Sequence, residues 1–168
     1  MNTLRKVIYF LFVAGMLTLN ACTYSFTGAN LGDLKNVAIP PFENQTSEPG
    51  IREKVTNQVT NGLIEDNTFK ITDRKTADAV LSGVIIRVED APFTFEGGGN
   101  NFTTTDYKIT IVTTIRFENV KDKKVLWEET ISGWGRYTLA GAKNRNSGIE
   151  DAIRMITENI LNKVTANW

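Results

Sequence analysis

The amino-acid sequence predicts an α+β fold: a two-layer sandwich in which a mixed, mostly antiparallel sheet of about four to five strands carries two helices on one face. Three observations predict it. From Asp106 to Phe117, apolar residues (Tyr107, Ile109, Ile111, Ile115, Phe117) alternate with polar ones (Lys108, Thr110, Thr114, Arg116), and only Val112 and Thr113 blur the period. That alternation marks a sheet with one covered face. Ile51, Val55, Val59 and Leu63 recur at helical spacing, and Ile149, Ile153, Ile156, Ile160 and Val164 do so again near the end. Each stripe is one apolar helix face in need of a surface to cover.

The N-terminus comes first. Arg5 and Lys6 precede the apolar run Val7 to Leu19. A bilayer span wants ~20 apolar residues, so this run is short for one. A basic start, a short apolar run and a small residue read as a signal peptide over 1–21 rather than as a buried helix. Leu19-Asn20-Ala21-Cys22 resembles the lipobox of bacterial lipoproteins, and Cys22 is the only cysteine. The resemblance implies cleavage before Cys22, a diacylglycerol on its thiol and an acylated amine. More than one acyl chain is needed for stable anchoring. Thr23, rather than an aspartate, follows the cysteine, which points to the outer membrane and a periplasm-facing domain. The expected organisation is a signal peptide (1–21), a lipidated tether (22–34) and one α+β domain (35–168).

Lys35 to Pro40 reads as a short buried strand stopped by Pro40-Pro41, since proline cannot donate to a ladder. Phe42 to Gly50 reads as a loop. Ser47 is the expected cap of the first helix, with Pro49 in its first turn. Phe69 to Thr72 is a short strand, and the β-branched run Ala79 to Glu89 a longer one. Lys121 to Lys124 turns the chain between the Asp106–Phe117 strand and its partner, Val125 to Tyr137. Ser147 and Glu150 have capping-box spacing ahead of the last helix. No internal repeat or heptad run interrupts this order.

Composition excludes much chemistry. The chain has 168 residues, which suits one domain, and 41% are hydrophobic, which suits a folded one. Lys plus Arg and Asp plus Glu both number 19, and cleavage would leave a slight acidic excess. Such a balance argues against nucleic acid as a partner. Histidine is absent, so Ser-His-Asp and Cys-His nucleophiles and the usual zinc sites cannot be built. A lone cysteine forms no internal disulfide. No cofactor is expected beyond the covalent lipid on Cys22, and no enzyme.

Glu96 to Asn101 (EGGGNN) lacks the Lys-Ser/Thr pair and helix of a phosphate-binding loop, and reads as a hairpin tip. Glu128 and Glu129 are neighbours on a strand and point to opposite faces. Glu65 and Asp66 close the first helix. Asp73, Asp78, Glu89 and Asp90 are scattered near strand ends, without calcium-loop spacing. A basic and aromatic group stands out instead: Trp134, Arg136, Tyr137, Lys143 and Arg145, around the segment 137–146. Guanidinium and ammonium groups could hold phosphate, and aromatic faces sugar or acyl chain. The plainer reading is a solvated loop with aromatics at a sheet edge. Lys121, Lys123 and Lys124 read more simply as turn chemistry.

Several segments together resemble the LptE family of lipopolysaccharide-assembly lipoproteins. They are Ala21-Cys22 with Tyr24-Ser25-Phe26-Thr27-Gly28, then Val37 to Asn44 with Glu48-Pro49-Gly50, Ala77 to Gly83, Val125 to Glu129, and the helix closing at Trp168. The chain looks like a shorter, divergent branch. The resemblance implies an outer-membrane plug in the lumen of the large β-barrel LptD, with lipopolysaccharide as the molecule handled. The family's own lipopolysaccharide-contacting residues align with no motif here, so Arg136, Lys143 and Arg145 rest on their clustering alone. Val37 to Asn44 and the strands at Ala77 and Val125 also resemble CsgG/LpoB-type periplasmic lipoproteins, which form secretion pores or activate cell-wall synthases. A two-carboxylate hydrolase needs no histidine and is the third reading.

Overall fold

The computed structural model describes residues 34–96, 103–139 and 143–165. The signal peptide, Cys22, the tether up to residue 33, the glycine-rich stretch at 97–102 and Trp168 lie outside the described residues. The elements are β1 (Asn36–Ala38), β2 (Glu43–Asn44), α1 (Ile51–Asp66), β3 (Lys70–Ile71), β4 (Ala79–Glu96), β5 (Thr103–Asn119), β6 (Lys124–Thr138) and α2 (Arg145–Thr165). One six-stranded sheet runs β3-β1-β4-β5-β6, with β2 also on β4. β1 is parallel to β3 and β4, β2 is parallel to β4, and β4, β5 and β6 form an antiparallel meander. This is the expected α+β sandwich, helices on one face of a mixed sheet.

The core lies between the layers. Leu81, Ile85, Ile109, Ile111, Ile115, Phe117 and Ile131 meet the helix stripes Ile51, Val55, Val59, Leu63 and Ile149, Ile153, Ile156, Ile160, Val164. Thr113, which blurred the alternation, sits fully buried on this face because its hydroxyl donates to the Ile131 carbonyl at 3.1 Å. The two helices run parallel. Lys54 near the start of α1 bonds Asn146 near the start of α2, and Gly62 meets Thr157 near their other ends.

Several local expectations are corrected. Pro40-Pro41 interrupts the ladder but does not end it. Pairing resumes at Glu43↔Val84, so β2 continues the line of β1 along β4 and adds a sixth strand. The first helix is not capped by Ser47, and Pro49 lies before its first turn. Its N-cap is Gly50 at φ 68, a left-handed conformation that glycine adopts without strain. The last helix starts earlier than the Ser147–Glu150 box. Asn144 caps it, its Oδ1 accepting from the Ser147 N–H at 3.0 Å, while Glu150 pairs with Asn146. β4 is longer than expected and carries an irregularity between Ile85 and Arg87.

α2 lies unusually close to β6. A Cβ on Gly133 would stand 2.0 Å from the Ala152 carbonyl oxygen, and one on Gly135 2.0 Å from that of Gly148. Both obstacles are backbone, so neither can swing aside. Gly133→Ala is therefore expected to cost about 3 kcal/mol or more, read as a lower urea midpoint. Gly50→Asn, with nothing near its Cβ and a residue that tolerates positive φ, should stay within ~1 kcal/mol of the parent.

Candidate functional site

The helices leave the other sheet face uncovered. It carries Lys108, Thr110, Val112 and Thr114 of β5, and Thr130, Ser132, Trp134 and Arg136 of β6 opposite them. Near the end of β4, Phe93 joins this face across β5. Its ring stacks on Trp134 with centroids 6.1 Å apart and planes 19° from parallel, and the Arg136 guanidinium lies 4.5 Å over the Phe93 ring. Both rings are more than 40% exposed, Phe93 at 43% and Trp134 at 42%. Arg136 also pairs with Asp106 at 2.6 Å. This face therefore presents a wet aromatic pair beside a cation on an otherwise threonine-rich surface.

The basic and aromatic residues grouped by the sequence are split between two faces. Trp134 and Arg136 lie on the open face. Tyr137, one residue on, points to the helix side, where it is 5% exposed and stacks on its cross-strand partner Tyr107 at 5.5 Å. Lys143 reaches Asp151 at 3.4 Å, and its carbonyl accepts from the Thr138 N–H at 2.8 Å. It meets Trp134, Arg136 and Arg154 around an open groove of about 300 Å³ along the β6 edge, and Arg136 and Tyr137 again around a second one of about 240 Å³. Arg145 sits at the start of α2 and is occupied by two carboxylates. It binds Glu48 through both terminal nitrogens, at 2.9 and 2.8 Å, and Asp90 at 2.9 to 3.2 Å. The Tyr137 hydroxyl donates to the same Asp90 at 2.8 Å.

Sequence reading missed Asp90 as a partner because β4 changes phase. Leu81, Gly83 and Ile85 oppose Phe117, Ile115 and Thr113, so odd residues face the helices up to Ile85. The extra residue Ile86 shifts the register, and from Val88 the even residues take that face, Asp90 opposite Ile109. An inserted residue re-aims every side chain after it. The doublet Ile85-Ile86 was the available signal. The Arg145 network thus ties the loop before α1, strands β4 and β6, and the start of α2.

Its electrostatics follow from these contacts. The Arg145 hydrogen bonds hold Glu48 below the usual carboxylate range, and Glu48 and then Asp90 raise Arg145 further. Burial first, then the bond to Asp90, push the Tyr137 phenol up to about 12. A raised phenol pKa gives stability that is complete below the ordinary tyrosine value of 10.0 and is lost as pH climbs toward about 12. A lowered glutamate pKa acts on the other side: its contribution is complete above the ordinary value and is lost as pH falls from there through the lowered one. Tyr137→Phe should remove most of the alkaline decline while leaving the acid limb intact, as urea midpoints across pH will show. Arg145→Lys keeps the charge but not the fork. With a side chain 38% exposed to screening solvent, it should cost about 1–2 kcal/mol.

Solved structures share this fold at low identity. Protein XCC0632 from Xanthomonas campestris matches at a TM-score of 0.60 with 11% identity, covering 80% of this chain and 85% of its own. The hypothetical protein CT253 from Chlamydia trachomatis matches at 0.53 with 11% identity, covering 79% and 99%. A minor lipoprotein from Acinetobacter baumannii matches at 0.51 with 11% identity, covering 80% and 94%. Comparison with curated proteins gave no match. The family model described as LptE, lipopolysaccharide-assembly, matches residues 34–164, essentially the whole folded domain. The chain belongs to the LptE family of lipopolysaccharide-assembly proteins.

Proposed function

We propose that this protein is an outer-membrane lipoprotein, anchored through acylated Cys22, that plugs an LptD-type β-barrel and assists the assembly of lipopolysaccharide into the outer leaflet. The family match over residues 34–164 carries the proposal. The uncovered, threonine-rich sheet face supports it, because a plug in a water-filled barrel meets a polar lumen on its outer surface. The role is binding and assembly rather than catalysis. Asp151 and Glu158 share a groove, but it is open, and Asp151 is already paired with Lys143 and Arg154, so nothing favours the hydrolase reading.

Within this function, Trp134, Phe93 and Arg136 form the surface best suited to an anionic amphiphile, with Lys143 at its edge. Arg145 and Tyr137 hold the frame behind it rather than the ligand. Arg136→Gln with Lys143→Gln should weaken lipopolysaccharide binding by about tenfold, on the basis of two lost charge-assisted contacts. Unchanged affinity of the folded variant would remove these residues from the contact.

The function itself is tested by copurification. A C-terminally tagged chain, extracted from outer membranes in mild detergent, should bring a large β-barrel at near-equal stoichiometry that separates only on heating. Its depletion should leave lipopolysaccharide short of the cell surface. A cell-wall synthase, a ring of this chain or no partner at all would contradict the proposal.

A further inference from the structure

β6 is the last strand of the sheet, and its ladder to β5 runs unbroken from Trp127 to Thr138. The Thr138 N–H points away from β5, donating to the Lys143 carbonyl at 2.8 Å. The Ile131 carbonyl points toward β5, where the Thr113 hydroxyl reaches it. Strand alternation therefore turns the backbone groups of Thr130, Ser132, Trp134 and Arg136 outward. Among the described residues, Lys143 alone bonds this edge, at its far end. The other long edge is guarded. Past the Asn44↔Ile85 pair, β4 has no described strand on its outer side, but there it carries Pro92 and three breaks in register. Proline and bulges keep an edge from pairing. Between Trp127 and Thr138, β6 has neither, and its charges stand at the two ends, Glu128 and Glu129 at one and Arg136 at the other. Two open grooves follow the edge, between it and the flank of α2. One, of about 450 Å³, is lined by Thr130, Ser132, Asn159 and Asn162, and the other, of about 300 Å³, by Trp134, Arg136 and Glu158.

We infer that the β6 edge from Thr130 to Arg136 is a strand-addition site, which takes one extended, polar loop segment of the enclosing barrel protein. The inference rests on reading the chain as a barrel plug. Main-chain hydrogen bonds supply the affinity in such pairing, and alternate side chains of the added strand rest in the groove. The geometry selects a lone strand over a second copy of this chain. Gly133 and Gly135 bring α2 directly against the underside of β6. Two copies joined edge to edge would set their α2 helices near the spacing of neighbouring strands, about 4.8 Å, where packed helices need about 8–10 Å. A bare strand brings no helix and fits beside Asn159 and Asn162, whose amides suit polar side chains. The strands of a closed barrel are paired all round, so its wall has no edge to offer. The added segment is therefore a loop turned into the lumen.

The test is amide hydrogen exchange, resolved to single residues by fragmentation in the mass spectrometer, on the full chain alone and on the complex copurified from outer membranes. In the free chain the amides of Ile131, Gly133 and Gly135, which face β5, should exchange slowly, and those of Thr130, Ser132, Trp134 and Arg136 fast. In the complex these four should slow by about a hundredfold. Simple burial against a wall would not select alternate residues. Ser132→Pro removes the central outward donor and spares the bonds to β5. Folded by its urea midpoint, it should recover about tenfold less barrel. A barrel present with the four amides still fast would overturn the inference and leave the plug reading standing. Slow exchange in the free chain, whether at all concentrations or only at high ones, would assign the edge to this chain or to a second copy and overturn it too. A complex without a barrel would remove the plug reading, and the inference with it.

Discussion

The structure depends on how closely α2 can approach β6. Gly133 and Gly135 present bare backbone to the carbonyls of Ala152 and Gly148, at a separation no side chain could occupy. That contact lets Ile149, Ile153, Ile156 and Ile160 sink onto the centre of the sheet. It also fixes which way β6 faces. With glycines inward, Trp134 and Arg136 between and after them must point outward. One packing constraint therefore creates both the dry core on one side and the aromatic, cationic surface on the other.

The far end of the sheet is held by a different device. Past Ile85 the inserted Ile86 turns Asp90 toward the helices, where Arg145 and Tyr137 meet it. Arg145 is more useful to the fold here than to a ligand. Two carboxylates already fill its fork, and drawing it away would leave both without their cation. Arg136 differs. It lies over an exposed ring on an open face and, among the described residues, pairs with one carboxylate, Asp106. The same residue type thus serves as a clasp at one position and as a contact surface at the other.

Much of the fold was legible in the sequence because it is written in periodicity. Both helix stripes, the alternation of β5 and the polar turn at Lys121 are direct consequences of which faces must be dry. The parts that were not legible depend on single residues acting at a distance. β2 is two residues long and exists because β4 offers a free ladder beyond Pro40-Pro41. The caps moved because Asn144 and Gly50 met the helix ends first. The site was half legible: Trp134 and Arg136 do share a surface, while Phe93 lies beyond Glu89, where the strand was expected to end, on a face set by the extra residue Ile86. Proximity in sequence grouped Tyr137 and Arg145 with them, but strand alternation separated the first and the start of α2 removed the second.

A plug differs from a docked neighbour in being enclosed. The most direct test is photocrosslinking in intact cells from two exposed positions on opposite faces, Ser132 on the open sheet face and Gln58 of α1 in the groove between the helices. Enclosure in a barrel lumen predicts adducts to one and the same β-barrel protein from both positions. Adducts from one face only, or to a partner that is not a barrel, would contradict it.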